Sequence, residues 1–365
     1  MAMSLQTILA MIKEGQPIEG LSFQSINLAS AHIGGAVFQG CAFSGCNFDD
    51  AILEQITFIG CELSECSFQS SQFLDANFIE TKFSDCRWLN LIAEGANFVD
   101  SEFASVSVND ANLNNAQWVN CTVTAFDVQR SQFHMSSFIN CELKDMPFNE
   151  CELLRTNFIE CEFDSVMFPG SILDGSVFEK PQLDGTDFSG LSLVKTQFRS
   201  ASLNDCLFTK ANLTQACFVE AALNRCDLSQ VNAPLSIFYQ ADLTGSTLSH
   251  SMLDQSGFQL SNLAGCDLTN ASLVQAQLTQ VNGRATVFAS ADLNYADLSL
   301  TKLHQCDFSN ASLFRCNLHG IQDEGSLWHG SSKSLALGTD EALSAAQNWK
   351  PKSIKKPSFA ITESS

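Results

Sequence analysis

Fifteen cysteines and six histidines are the side chains of this 365-residue sequence whose chemistry asks first for an explanation. A thiolate is a nucleophile and a soft metal ligand, and an imidazole serves as ligand or as general acid and base near neutral pH. Either use needs several such groups brought to one point, and the spacing argues otherwise. Fourteen of the fifteen cysteines, from Cys41 and Cys46 to Cys306 and Cys316, fall at a single phase of a five-residue period, and only Cys217 leaves it. His32, His134, His250, His304, His319 and His329 are scattered over unrelated coils of that repeat. No CxxC pair, HExxH segment or glycine-rich phosphate loop is present. The expectation is a chain that is not an enzyme, with no catalytic residue, no metal site and no cofactor. Its cysteines then fill space as small apolar side chains.

What must position these residues is the period itself. From Phe23, every fifth residue through Leu28, Ile33, Phe38 and Phe43 to Leu318 is large and apolar, sixty positions in all, with Ala93, Ala233 and Gly283 as exceptions. The cysteine phase lies two residues before each of these centres, a place otherwise held by small or medium side chains, as in Ala76-Asn77-Phe78 and Ala241-Asp242-Leu243. An α-helix returns its apolar face at three and four residues and a strand at two, so a strict five fits neither. A chain that turns a corner every five residues closes a square after twenty. That second beat is present: positions 38, 58, 78 and onward to 258 are Phe except for Trp118, whereas the side beginning at Ile33 is mainly Leu. FIGCEL at 58–63, FINCEL at 138–143 and FIECEF at 158–163 echo one another at multiples of twenty.

On these units the sequence resembles the pentapeptide-repeat family, whose A(D/N)LXX units build a right-handed quadrilateral β-helix. The resemblance covers residues 21–320. It implies an all-β solenoid of about fifteen coils, a rod roughly 70 Å long at the ~4.8 Å spacing of neighbouring strands. Both ends of such a rod must be covered. Within residues 1–20, Leu5, Ile8, Leu9 and Ile12 fall at helical spacing and predict an N-terminal capping helix over 4–14. The phase fails at Asp323, so residues 321–349 are expected to form a C-terminal cap, with Leu327 and Trp328 closing the last coil and a short helix capped at Thr339. Residues 350–365, with Lys350, Lys352, Lys355 and Lys356, read as a disordered basic tail.

The balance of 40 acidic against 19 basic residues, a net charge of -21, disfavours direct nucleic-acid binding and anionic membranes. No apolar run has the length of a membrane helix, and the start MAMSLQTILAMIKEG lacks the basic opening of a signal peptide. The chain is therefore expected in the cytoplasm, without membrane insertion. The acidity has a second meaning by resemblance. The family includes fluoroquinolone-protection proteins that resemble DNA and occupy type II topoisomerases such as gyrase, so an acidic DNA mimic is the alternative function.

One surface feature points to a partner more directly. The residue after each centre faces outward. On the Phe38 side this position holds Ile59, Ile79, Val99, Val119, Ile139 and Ile159 over six successive coils, ends at Glu179 and Arg199, and resumes at Val219 and Tyr239. Such an exposed column, about 25 Å long at strand spacing, either stacks for stability or is covered by a protein. The leading expectation is a rigid scaffold that presents this stripe to a protein partner or to a second copy of itself. An adaptor or accessory of a bacterial secretion system is one concrete form, because the lead-in to PIEGLSF resembles that of pentapeptide proteins associated with type VI secretion.

Overall fold

Register organises the whole molecule: in the computed structural model, which describes residues 5–349, successive coils pair in parallel at twenty residues, from Ile18 with Phe38 to Asn317 with Leu337. Each coil has four sides of five residues. Side A carries the centres Phe38, Phe58 and Phe78, side B carries Phe23, Phe43 and Leu63, side C Leu28, Phe48 and Phe68, and side D Ile33, Leu53 and Phe73. The corner lies two residues after each centre, where φ is positive, as at Ser25 (51°), Asp50 (58°) and Asn115 (59°). Only glycine enters this left-handed region without steric cost, with Asn and Asp next, which accounts for Gly40, Asp50, Gly60 and Asn115 at corners.

The corners come in two forms, turn-type and strand-type. At many turn-type corners an Asn or Asp before the centre turns its side chain back on the chain. Asn47 Oδ1 accepts from Asp49 N–H at 2.8 Å, Asp242 Oδ1 from Thr244 N–H at 3.1 Å, and Asp307 Oδ1 from Ser309 N–H at 2.8 Å. The amide after the centre is thereby satisfied without the next coil, and the turn closes with a bond such as Ala51 N–H to the Phe48 carbonyl at 3.0 Å. At strand-type corners a three-residue strand forms instead, as at Thr57–Ile59, Glu142–Lys144 and Lys82–Ser84, and also at Asn77–Ile79 and Asp127–Gln129.

Side A accordingly forms a nine-stranded parallel sheet from Ile18–Glu19 to Val177–Glu179. Side B forms an eight-stranded one from Ser22–Gln24 to Glu162–Asp164, and side C four strands between Arg87–Leu89 and Phe148–Asn149. Counted on the nine strands of side A, the β-solenoid has about eight strand-built turns rather than fifteen uniform ones. Past Glu179 the twenty-residue register continues through single bridges, where Asp and Asn before the centre have become common.

The core is a set of columns. On side A, Phe38 stacks on Phe58 at 5.2 Å between ring centroids, Trp118 sits between Phe98 (4.3 Å) and Phe138 (5.4 Å), and the column runs on to Phe238 over Phe258 at 4.7 Å. Helix α1 (Leu5–Lys13) lies at the first coil, with Ile8 buried and Leu9, Met11 and Ile12 packed against the core. At the other end Trp328 stacks on Phe308 at 4.0 Å beneath Lys333 Nζ. Leu327, expected to help close the last coil, is instead exposed. Helix α2 (Glu341–Gln347) is capped by Asp340, whose side chain accepts from Leu343 N–H, and not by Thr339, whose hydroxyl accepts from Gly320 N–H. The expected tail at 350–365 lies outside the described residues.

Candidate protein-interaction face

The six stripe residues occupy one position of consecutive strands on side A, and the ladder sets them side by side: Ile59 with Ile79, Ile79 with Val99, Val99 with Val119, Val119 with Ile139, and Ile139 with Ile159. The expectation that they are exposed needs correction, because all six are half-buried. At strand spacing each β-branched side chain is covered above and below by its neighbours, so only the outer rim of the column meets solvent.

The edge of side A beside the stripe is polar and mostly acidic. Glu80, Asp100, Asn120, Asn140 and Glu160 follow one another at the corner. Asn140 Nδ2 donates to Asn120 Oδ1, and Asn120 Nδ2 donates to Asp100 Oδ1, both at 2.9 Å. Side B continues the acidity with Glu62, Glu102, Glu142 and Glu162. Two cations on these coils are engaged: Lys82 Nζ lies 2.9 Å from Glu102 and Lys144 Nζ 3.5 Å from Asp164.

Farther along side A the structure exposes apolar residues that sequence reasoning ranked too low or missed. Ile237 is 43% and Tyr239 37% exposed, with Leu235 and Leu260 beside them. Leu235 and Leu260 hold corner positions at φ 61° and 63°. The signal was available, since a bulky apolar residue at a corner is both strained and solvent-facing.

All fifteen cysteines are free and buried. Cys217, whose phase pointed outward, is only 7% exposed, because its bridges to Gln197 and Ile237 place a larger side chain on either side of it. Apart from Cys316, the others act as hydrogen-bond donors between coils. Cys61 Sγ donates to the Phe38 carbonyl at 3.4 Å, and Cys141 Sγ to that of Trp118 at 3.3 Å. Ser71 and Ser101 make the same bond with hydroxyls, to the Phe48 and Phe78 carbonyls. Burial pushes the thiols of Cys206, Cys226, Cys266 and Cys316 up to about 12. They are therefore neutral inside the rod near neutral pH. Among the described residues no three His, Cys, Asp or Glu side chains gather to hold a metal ion. No helix of the described residues is long and apolar enough to cross a membrane.

Comparison with known proteins gives three family models of pentapeptide repeats. A pentapeptide repeat region matches residues 131–205, eight-copy pentapeptide repeats match successive segments within 192–320, and nine-copy pentapeptide repeats match 23–67. Together they take in more than half of the chain. No curated protein matches it. Similar solved structures include a pentapeptide repeat protein of the Arabidopsis thaliana thylakoid lumen, 28% identical over 33% of this chain and 70% of that one, with a TM-score of 0.25. HetL, a pentapeptide repeat protein involved in heterocyst differentiation regulation from the cyanobacterium Nostoc sp. strain PCC 7120, is 17% identical over 93% of this chain and 98% of its own, with a TM-score of 0.19. QnrB1, a plasmid-mediated fluoroquinolone resistance protein, is 16% identical over 52% of this chain and 83% of its own, with a TM-score of 0.19.

Proposed function

The chain belongs to the pentapeptide-repeat family, and on that premise we propose that it is a non-enzymatic rigid scaffold whose side A receives a protein partner along Ile59, Ile79, Val99, Val119, Ile139 and Ile159. The observation that carries this is the unbroken ladder of those six side chains in one sheet, with an acidic edge along one flank. A flat apolar strip rimmed by carboxylates favours a partner with an apolar ridge and basic side chains on that flank. An adaptor or accessory of a bacterial secretion system is one form such a scaffold takes. Replacing Val99, Val119 and Ile139 together by Lys tests it. The folded variant should lose partner capture or self-association, while the triple Thr variant, which keeps β-branching, should stay closer to wild type. A folded Lys variant that retains every wild-type partner refutes the proposal.

A second reading has its own observation. Glu62, Glu65, Glu80, Asp85, Asp100 and Glu102 line side B and the adjoining corner, and Lys82 there is neutralised by Glu102. This edge supports an acidic DNA mimic that occupies a type II topoisomerase. Near-stoichiometric inhibition of gyrase supercoiling, lost when Glu80 and Asp100 become Gln and Asn, would favour it over the scaffold. Unaltered supercoiling would remove it.

A further inference from the structure

Two corner cations on this rod are clamped by an acid one coil away. Arg130 Nε lies 2.8 Å from Asp110 Oδ1, and Arg225 binds Asp205 through two nitrogens at 2.8 and 2.6 Å. Arg155 and Lys195, like the corner residues Lys180, Lys210 and Arg315, have no such clamp. They stand in one corner column, Met135, Arg155, Gly175, Lys195 and Gln215, so no acid is next to either, and neither side chain makes a hydrogen bond or ion pair among the described residues. In a chain of net charge -21, these two unpaired cations share one corner column about 10 Å apart at coil spacing.

Between them the surface is hollow. A notch of about 420 Å³ is lined by His134, Met135, Leu154, Arg155, Asp174, Gly175, Val194 and Lys195, a volume within the ~300–1,000 Å³ of small-ligand pockets. Gly175 makes the opening, since its corner φ of +71° suits glycine and a Cβ there would come within 3.3 Å of Arg155 Cγ. The acids at the notch are already committed. Asp174 Oδ1 accepts from Ser192 Oγ at 2.6 Å and from Val194 N–H at 2.9 Å, and Glu152 Oε2 sits 2.7 Å from His134 Nε2. What remains unsatisfied is positive charge beside apolar walls from Met135, Leu154 and Val194.

We infer that this notch binds a carboxylate carried on an apolar body, with Arg155 and Lys195 receiving the carboxylate and Leu154 and Val194 the apolar part. Two sources share that chemistry: a small free carboxylic acid, and the C-terminus of a partner chain that ends in an apolar residue. The site lies at the edge of sides D and A and does not depend on the stripe, so either can fail alone.

The full chain is titrated calorimetrically at low salt with N-acetyl-L-leucine and with a hexapeptide ending in Leu, with its C-terminus free or amidated. The expected result is saturable binding of the free acids, no binding of the amide, and at least a tenfold loss in each of Arg155→Gln, Lys195→Gln and Gly175→Asn. Asn tolerates the corner conformation while filling the notch. Arg130→Gln, away from the notch, should bind as wild type. A hexapeptide that binds more tightly than N-acetyl-L-leucine identifies a chain terminus, and equal affinities identify a small acid. Circular dichroism melting confirms that each variant is folded. No saturable binding of either free acid up to tens of millimolar, or binding that survives all three folded variants, overturns the site.

Discussion

Ser101→Ala isolates one side-chain bond that satisfies a buried amide at a strand-type corner. Ser101 is 1% exposed, and its Oγ accepts from Thr81 N–H at 3.1 Å while facing the carbonyls of Val99 at 2.9 Å and Phe78 at 3.2 Å. In a bridged corner the amide equivalent to Thr81 closes the turn onto its own centre, as Ser256 N–H does to the Leu253 carbonyl at 3.2 Å. At Thr81 that turn bond is absent, and the hydroxyl of the next coil replaces it. Alanine therefore leaves a buried N–H with no partner, which costs about 1–3 kcal/mol. The Val99 carbonyl keeps its bond from Glu80 N–H, so little is added on the acceptor side. Ser256→Ala removes a hydroxyl that donates to Leu253 at 2.6 Å but orphans no amide, and should cost about 1 kcal/mol or less. Ser101→Cys should recover most of the loss, because Cys61 Sγ accepts from Cys41 N–H at 3.4 Å in the same arrangement. A long solenoid does not unfold in one step, so amide hydrogen exchange at Thr81 is the sharper assay, with chemical denaturation alongside. Equal costs for Ser101→Ala and Ser256→Ala, or unchanged protection of Thr81, would refute the account of the two corners.

Two further outcomes follow from the core. Phe138→Asp puts an unpaired charge between Trp118 and Phe158 and should destabilise the rod by more than the ~3–5 kcal/mol of a buried Phe→Ala change. Asn140→Asp, at the exposed corner, gives up its bond to Asn120 and should cost under about 1 kcal/mol in the same denaturation series. The buried thiols predict alkaline instability. With folded values near 12 for Cys206, Cys226, Cys266 and Cys316 against about 8.5 in the unfolded chain, their stabilising contribution is complete below the lower value. It is lost as pH rises from there toward the upper one, at up to about 1.4 kcal/mol per pH unit per thiol. Thermal unfolding between pH 8 and 11 should fall steeply for wild type and less for the quadruple Cys→Ala protein, and parallel profiles would contradict the assignment.

The repeat, the side-to-side register and the core centres were legible because burial in a square coil recurs at one phase, which even Ala93 and Ala233 obey. The break in strand content near Glu179 was not. Asn112 before its centre bonds the Asn114 amide at 3.0 Å at a turn-type corner, yet Asn77, Asn97 and Asn157 hold the same position within strands and Glu152 holds it at a bridged turn. No single letter before the centre separates the two corner forms, and period alone gives Asn and Glu the same outward weight. Thr339 failed as a cap for a local reason. Asp340 is one residue nearer the helix, and its carboxylate reaches Leu343 N–H at 3.0 Å.

Surface was the harder part to read, and the cause lies in coil neighbours rather than in direction. Phase says whether a side chain points in or out. How much of it meets water depends on what stands one coil above and below. Ile139 points outward yet is half-buried, since Val119 and Ile159 flank it at strand spacing. Ile237, on the same side, is 43% exposed because Gly257 below it has no side chain and Cys217 above it is short. The same contact runs in reverse for Cys217, which Ile237 covers although its phase points outward. Gly175, between Arg155 and Lys195, opens the cationic notch by the rule that opens Ile237 to solvent. A surface site on a square solenoid is therefore made where a small residue interrupts a column, and an unbroken column such as Ile59 to Ile159 offers a partner its rim rather than whole side chains.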